Sequence, residues 1–356
     1  MVGWLWWRFG QTRAPTPKPK AIATAPALQR VAQPKTAPVS VSPRTPPPTV
    51  LIPPPRPIVP PTLEPAPPGV FPRPVQNVFE AQLAMARQGI SSGSLDGRIG
   101  PQTRAALRAF QQKEHLVTTG ELDAATQERL LLAAPPYAVY TVTAEDLARL
   151  QPLSRTWLGK SQQTALDYET ILELVAEKGH SHPNLIRQLN PSIDWTNVAA
   201  GTTVQLPDMA YAAASPKAAF AILSLAGKCL EAFDANTNLL AHFPCSIAQH
   251  VEKRPVGELH VAAIAPNPNY TFDPDVFPES AEARQLNRKL ILPPGPNNPV
   301  GVAWISLDKP GYGIHGTPSP EQVGRTESHG CFRLANWNAE YLVKLVWVGM
   351  PVYVEP

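Results

Sequence analysis

The chain has 356 residues, a formal charge of +3 and 44 prolines. This length favours two or three domains over a single core. Three cysteines are too few for a disulfide scaffold, no Cys/His spacing is typical of a zinc site, and no apolar run approaches the ~18 residues of a membrane span.

Residues 1–74 form a basic segment rich in proline. They carry nine Lys or Arg and one acid, which gives +8 and leaves −5 for the remainder. Proline favours the polyproline II backbone, so we predict an extended linker. Its charge either attracts an anionic envelope surface or only keeps the segment soluble. Either the true start lies upstream, or Trp4, Trp6 and Trp7 belong to a membrane anchor at the N-terminus.

Residues 75–135 show the pattern of three short helices. The first ends at Gly89, and the second begins at Pro101, where a missing N–H costs no hydrogen bond. The third is expected to start near Asp123 and to carry Leu130–Leu131.

Three motifs follow one another in this segment: Asp96-Gly97-Arg98-Ile99-Gly100-Pro101, then Phe110-Gln111, then Gly120-Glu121-Leu122-Asp123. In this order they resemble the three-helix peptidoglycan-binding domain family. The resemblance implies a module that holds glycan or stem peptide without catalysis.

Residues 137–210 predict a small βααβ module. Strands are expected at 139–142 and 203–207, and helices at 167–178 and 183–189. The pattern is similar to a LysM glycan-binding module, with Ala144-Glu145-Asp146-Leu147 in place of the usual Gly-Asp-Thr-Leu. Glycan binding and a spacer role both stay open. We interpret His180 and His182, in a polar stretch, as solvated.

Residues 217–356 predict a mainly-β domain. Alternating apolar residues indicate strands at 220–225, 229–233, 239–243, 258–264, 300–307 and 350–354. Cys229 and Cys245 flank a turn near residue 237 almost symmetrically. The two cysteines either form a cross-strand disulfide or are two buried small side chains. The second interpretation is favoured because cross-strand geometry rarely suits a disulfide.

The chemistry is concentrated in two motifs, Tyr312-Gly313-Ile314-His315-Gly316 and Ser328-His329-Gly330-Cys331-Phe332-Arg333. A cysteine reacts as the thiolate and therefore needs a base or a cation nearby. His329 lies two residues before Cys331, so both side chains share one face of an extended strand. His315 reaches the sulfur only if the intervening loop folds back. Spacing alone slightly favours His329.

The two motifs resemble the signature of the L,D-transpeptidase catalytic family, which reverses this preference. The resemblance implies that Cys331 is the nucleophile and His315 the general base. It also implies that the Gly316 carbonyl orients the imidazole and that the N–H groups near Gly330 form the oxyanion hole. The remaining site residues, His329, Arg333, Ser328 and Tyr312, would contact substrate or hold the loop. Asn338, where the family commonly has Asp, is expected to cap a helix.

The resemblance implies transfer of a peptidoglycan stem peptide through a Cys331 thioester. Three acceptors stay open. A second diaminopimelate side chain would give 3→3 cross-links in cell wall biogenesis, and a lysine of a wall-attached lipoprotein would attach that protein to the wall. Water as acceptor would make the enzyme an L,D-carboxypeptidase. The alternative from another class is a non-catalytic envelope tether. We expect a location in the periplasm or cell envelope, acylation by carbapenems, no metal, no organic cofactor and no nucleic acid partner.

Overall fold

The computed structural model describes residues 70–209, 216–276, 280–326 and 330–356. The described residues belong to one compact unit. The predicted linker lies, apart from its last five residues, outside the described residues, as do Trp4, Trp6 and Trp7. Within the described part of the chain, no helix is both long and apolar enough to cross a bilayer.

The first module contains three helices and a short two-stranded sheet. Its elements are β1 (Arg73–Pro74), α1 (Val78–Arg87), α2 (Pro101–Lys113), α3 (Ala124–Arg129) and β2 (Leu131–Leu132). Side chains of Asn77 and Asp123 cap α1 and α3, and Pro101 opens α2. The prediction that α3 carries Leu130–Leu131 is wrong. Leu131 pairs with Pro74, which takes the chain into a strand.

Two buried glutamines hold the loops of this module. The Gln82 amide donates to Asp96 and Thr103 and accepts from the Gly97 N–H at 2.8 Å. Gln111 is fully buried and binds the turn around Gly120 from both ends of its amide. These motif residues are therefore engaged in holding the fold together.

The second module has two strands around four helices, two helices more than the sequence analysis predicted. Its elements are β3 (Tyr137–Thr141), α4 (Ala144–Arg149), α5 (Trp157–Ser161), α6 (Ile171–Lys178), α7 (Pro183–Leu189) and β4 (Thr203–Pro207). The strands pair antiparallel, and Asn190 bridges α7 to β4 through two hydrogen bonds with Gln205. Helix α5 packs against the third module, where the Trp157 ring stacks on Phe272 at 4.3 Å.

The third module is built on an eight-stranded mixed sheet. In spatial order the strands are β13 (Phe332–Arg333), β12 (Gly313–His315), β11 (Ala303–Leu307), β8 (Gly257–Pro266), β14 (Pro351–Glu355), β5 (Phe220–Ser224), β6 (Cys229–Phe233) and β7 (Leu239–Pro244). A hairpin of β9 (Tyr270–Phe272) and β10 (Leu290–Leu292) lies beside it, with α8 (Ala281–Leu286) between these strands in sequence. Helix α9 (Asn336–Leu345) buries Ala339, Leu342 and Leu345 in the main core.

The first module extends the edge of this sheet. Ile90 forms a parallel bridge to His242 on β7, with Ser91 N donating to His242 O at 2.8 Å and His242 N to Gly89 O at 3.0 Å. Gly89 has φ +82°, and a Cβ there would lie 2.7 Å from Leu240 O. Glycine at this position therefore permits the first module to approach β7.

Candidate active site

The two sequence motifs meet at one edge of the eight-stranded sheet. Strands β12 and β13 run parallel, with Ile314 opposite Phe332 and His315 opposite Arg333. Cys331 directly precedes β13, two residues before Arg333. Because side chains alternate along a strand, His315, Arg333 and Cys331 are placed toward the same face. The parallel pairing of β12 and β13 thus returns the chain to the side of His315, as required for His315 to approach the thiol.

His315 is buried and oriented by two contacts. Its Nδ1 lies 2.6 Å from the carbonyl oxygen of Gly316, and its ring stacks on Trp304 at 5.5 Å. Burial lowers the pKa of His315 to about 4; the Gly316 carbonyl opposes this shift and the Arg333 charge adds to it. The imidazole is therefore neutral at pH 7. With Nδ1–H donating to Gly316, the lone pair is on Nε2, where a general base needs it.

Cys331 is half-buried, and its Sγ lies 3.5 Å from the carbonyl oxygen of Gly311. Burial raises the pKa of the Cys331 thiol, while a backbone hydrogen bond with Gly313 and the positive charge of Arg333 act in the opposite direction. The resting group is thus a thiol, and the imidazole on the neighbouring strand is neutral. Nucleophilic attack from this state requires proton transfer to a base.

Asn336 holds the segment that follows His315, a role that the sequence analysis missed. Its side chain is 1% exposed, and its Oδ1 accepts from Thr317 N at 2.9 Å and Val302 N at 3.4 Å. Its Nδ2 donates to Pro296 O at 3.2 Å. A Cβ at Gly316 would lie 2.2 Å from Asn336 Oδ1, so glycine is required there for this close approach.

The expected capping role of Asn338 is wrong. Helix α9 begins at Asn336 with Ala335 as its N-cap, so Asn338 lies inside the first turn. It is fully buried, and its Nδ2 donates to Ser91 Oγ of the first module at 3.1 Å. Asn338 therefore joins two modules.

The other predicted site residues occupy different surroundings. Tyr312 lies in the turn before β12, half-buried against the core, with the Lys309 ammonium 5.1 Å from its ring centre. Among the residues that the structure describes, a Cβ at Gly330 would meet nothing within 4 Å. Arg333 exchanges two backbone hydrogen bonds with Ser246, at 2.9 and 3.0 Å. Ser328 and His329 lie outside the described residues.

The remaining cysteines form no disulfide. Cys245 is buried, and Cys229 is half-buried opposite Pro244 in the β6–β7 pair. Within the described residues, the one group of three side chains spaced to hold a metal ion is Cys229, Glu231 and His242, whose ligand atoms lie within 4.8 Å of one another. The Arg108 charge acts on the same Cys229 thiol and would oppose a bound cation.

The interpretation of His180 as solvated is wrong. Its ring stacks on Trp337 of α9 at 5.0 Å, and burial lowers the pKa of His180 to about 3. His182 is half-buried, and its Nδ1 accepts from Asn184 N at the start of α7. A sequence pattern of polar neighbours did not reveal this packing because Trp337 comes from another module.

Comparison with known proteins matches two parts of the chain to families. Residues 219–354 match the YkuD model, described as an L,D-transpeptidase catalytic domain, and residues 74–130 match PG_binding_1, a "Putative peptidoglycan binding domain".

Individual relatives carry names from the same family. The "Putative L,D-transpeptidase YkuD" of Bacillus licheniformis is 26% identical over 185 residues, covering 52% of this chain and 93% of that protein. The "Probable L,D-transpeptidase YbiS" of Escherichia coli K12 is 28% identical over 168 residues, covering 46% of this chain and 53% of that protein. The crystal structure of L,D-transpeptidase 3 from Mycobacterium tuberculosis gives 17% identity and a TM-score of 0.31, covering 45% of this chain and 77% of that one. Residues 219–354 are thus similar to the L,D-transpeptidase catalytic domains of the YkuD family, and residues 74–130 are similar to a peptidoglycan-binding domain family.

Proposed function

We propose that this chain transfers peptidoglycan stem peptides through a thioester on Cys331, with His315 as general base. The observation that supports the proposal is the position of His315 in β12 and of Cys331 directly before the parallel strand β13, with His315 Nδ1 fixed on the Gly316 carbonyl. This placement directs Nε2 away from that carbonyl and leaves it available to take the thiol proton.

The first half-reaction follows from the resting protonation states. Cys331 Sγ attacks the carbonyl of the third stem-peptide residue as its proton passes to His315 Nε2. Backbone N–H groups near Gly330 and Cys331 stabilise the oxyanion. The C–N bond to the terminal D-alanine then breaks, and His315 returns the proton to the leaving amine. The product is a thioester.

The second half-reaction transfers the acyl group from Cys331 to an acceptor. A diaminopimelate amine gives a 3→3 cross-link, a lipoprotein lysine attaches a protein, and water gives a carboxypeptidase. Since the substrate is the wall polymer, the chain acts in the cell envelope, which in a two-membrane cell is the periplasm. The first module supplies a second point of attachment to the wall. In the second module, a LysM-like glycan-binding function stays a prediction.

Incubation with a disaccharide-tetrapeptide and mass analysis of the products test this proposal. We expect D-alanine release by the wild-type chain and none by Cys331→Ala, while both chains sediment with sacculi. The product distinguishes the acceptor, because a cross-linked dimer indicates diaminopimelate and a tripeptide indicates water. Sedimentation of both chains with D-alanine release by neither would instead favour the non-catalytic tether.

A further inference from the structure

The hairpin of β9 and β10 stands apart from the eight-stranded sheet. Within the described residues, its two strands pair only with each other. Tyr270 pairs with Leu292 and Phe272 with Leu290, which places these four side chains on one face, while Ile291 on the other face is 65% exposed. A two-stranded hairpin alone is at best marginally stable in water, so its apolar face needs a packing partner.

Helix α5 of the second module supplies that partner. The Trp157 ring stacks on Phe272 at 4.3 Å, and its centre lies 6.4 Å from that of the Tyr270 ring. Leu158 packs against the same apolar cluster, and Leu166, which follows α5, is fully buried in it. The core of the hairpin is therefore completed by side chains from another module.

A carboxylate binds the beginning of α5 to the segment between the two hairpin strands. Glu282, in the first turn of α8, accepts from Trp157 N and Leu158 N, each at 3.0 Å and each on a different oxygen. These first N–H groups of α5 have no partner within the helix, and the carboxylate satisfies both with charge-assisted hydrogen bonds. The ring and the backbone of Trp157 are thus both bound to the segment that carries Tyr270.

The hairpin starts at the end of the sheet that carries the candidate base. Strand β8 ends at Pro266 opposite Ala303, and the next residue of β11, Trp304, pairs with His315. Only three residues separate Pro266 from Tyr270. The connection therefore keeps Tyr270 close to the active-site end of the sheet.

Tyr270 also interacts with the nucleophile. Burial raises the pKa of Tyr270 to about 12, and charges on Cys331 and Asp273 add to the shift. The phenol is therefore protonated at neutral pH and lies within electrostatic range of the thiol. Since Tyr270 shares a hairpin face with Phe272, movement of that face against Trp157 would displace the phenol from the sulfur.

We infer that α5 of the second module positions Tyr270 beside the nucleophile, with Trp157 and Glu282 as positioning residues for the transfer reaction. The inference rests on the proposed function, because stem-peptide transfer at Cys331 is the reaction whose geometry is fixed. It gives α5, a helix that the sequence analysis did not predict, a role that requires no glycan binding by its module.

A double-mutant cycle on the full chain tests the inference, with D-alanine release from a disaccharide-tetrapeptide as the assay. Trp157→Ala should lower kcat/KM by about tenfold, because a displacement of about 1 Å can cost up to about 100-fold in rate. Glu282→Ala should act in the same direction, and Trp157→Phe, which keeps a ring on Phe272, should recover most of the rate. In a Tyr270→Ala chain, Trp157→Ala should change the rate by less than about twofold, because residues that act through one another are not additive.

Trp195→Ala is the matched control, since Trp195 is a half-buried tryptophan that packs on a separate core of the same module. It should leave the rate unchanged with or without Tyr270→Ala. Additive effects of Trp157→Ala and Tyr270→Ala, or equal slowing by Trp195→Ala, would overturn the inference.

Iodoacetamide labelling of the three cysteines, followed by peptide mass analysis, gives a readout that needs no enzyme activity. Trp157→Ala should label Cys331 several-fold faster, because the displaced hairpin no longer shields the sulfur, and should leave Cys229 and Cys245 at their wild-type rates. Unchanged labelling of Cys331, or faster labelling of all three cysteines, would overturn the positioning role. If the wild-type chain releases no D-alanine, the proposed function fails, and the labelling rate of Cys331 then decides whether Trp157 positions the hairpin.

Discussion

Replacement of Asn336 by alanine should weaken catalysis more than its effect on folding explains. Its side-chain amide binds three backbone groups and is 1% exposed, so Asn336→Ala leaves Thr317 N–H and Pro296 C=O buried without this partner. At about 1–3 kcal/mol for each unsatisfied group, partly relieved by water, we expect a loss of roughly 2–4 kcal/mol in the free energy of unfolding. The melting temperature should fall by several degrees.

The catalytic effect arises because Gly316 and Thr317 directly follow His315. Loosening them releases the carbonyl that fixes Nδ1, and a small displacement of a reacting group costs up to about 100-fold in rate. We expect acylation of Cys331 by a carbapenem, followed by intact mass, to slow by about 10- to 100-fold.

Asn297→Ala is the matched control for this prediction. Asn297 is also a buried asparagine, and its Nδ2 donates to Asp167 O at 3.0 Å and Glu173 Oε1 at 2.5 Å in the second module. Its loss should reduce stability to a similar extent and leave the acylation rate within about twofold. Equal slowing by both variants, or normal acylation by Asn336→Ala, would refute the positioning role of Asn336.

Three further predictions follow from the site. Because burial lowers the pKa of His315 to about 4, its imidazole stays neutral down to about that pH. The rate of Cys331 acylation, measured across the acid range, should therefore fall with a midpoint near pH 4. A midpoint of the rate near ~6.5, the ordinary pKa of histidine, would contradict this. Gly316→Ala places a Cβ 2.2 Å from Asn336 Oδ1 and should destabilise the chain strongly in thermal denaturation. Gly330→Ala meets no atom of the described residues within 4 Å, so it should leave the melting temperature nearly unchanged while slowing acylation. Burial raises the pKa of Glu177 from 4.5 to about 8, so between these pH values the folded chain holds a proton that the unfolded chain lacks and loses stability as the pH rises. The stability of Glu177→Gln relative to wild type should therefore increase from pH 5 to about pH 8. A stability difference that stays constant over this range would argue against the shift.

The sequence predicted the elements whose signals are local. Strand β6 has the expected bounds of 229–233, and α2 begins at Pro101 because proline fixes a first-turn backbone. The turn between β6 and β7 forms at Asp234, whose Oδ1 accepts from Asn236 N and Asn238 N. Such features depend on residues a few positions apart, so a single sequence contains the information.

Errors arose where distant residues decide the structure. Leu131 lies in a strand because Pro74, far away in sequence, supplies its partner. Asn336 and Asn338 stand two positions apart in one polar segment, and the start of α9 decides which of them binds Thr317 N and which binds Ser91 Oγ. The roles of Ser328 and His329 stay predictions, as does the preference for His315 as base that the family resemblance provided.

Intact mass of the chain after incubation with a carbapenem tests the central claim most directly. The wild-type chain should gain one adduct, Cys331→Ala should gain none, and His315→Ala should gain it slowly, because a half-buried thiol with a raised pKa needs the imidazole to take its proton. An adduct on Cys331→Ala, or equal rates for His315→Ala and wild type, would contradict the assignment of the nucleophile or of its base.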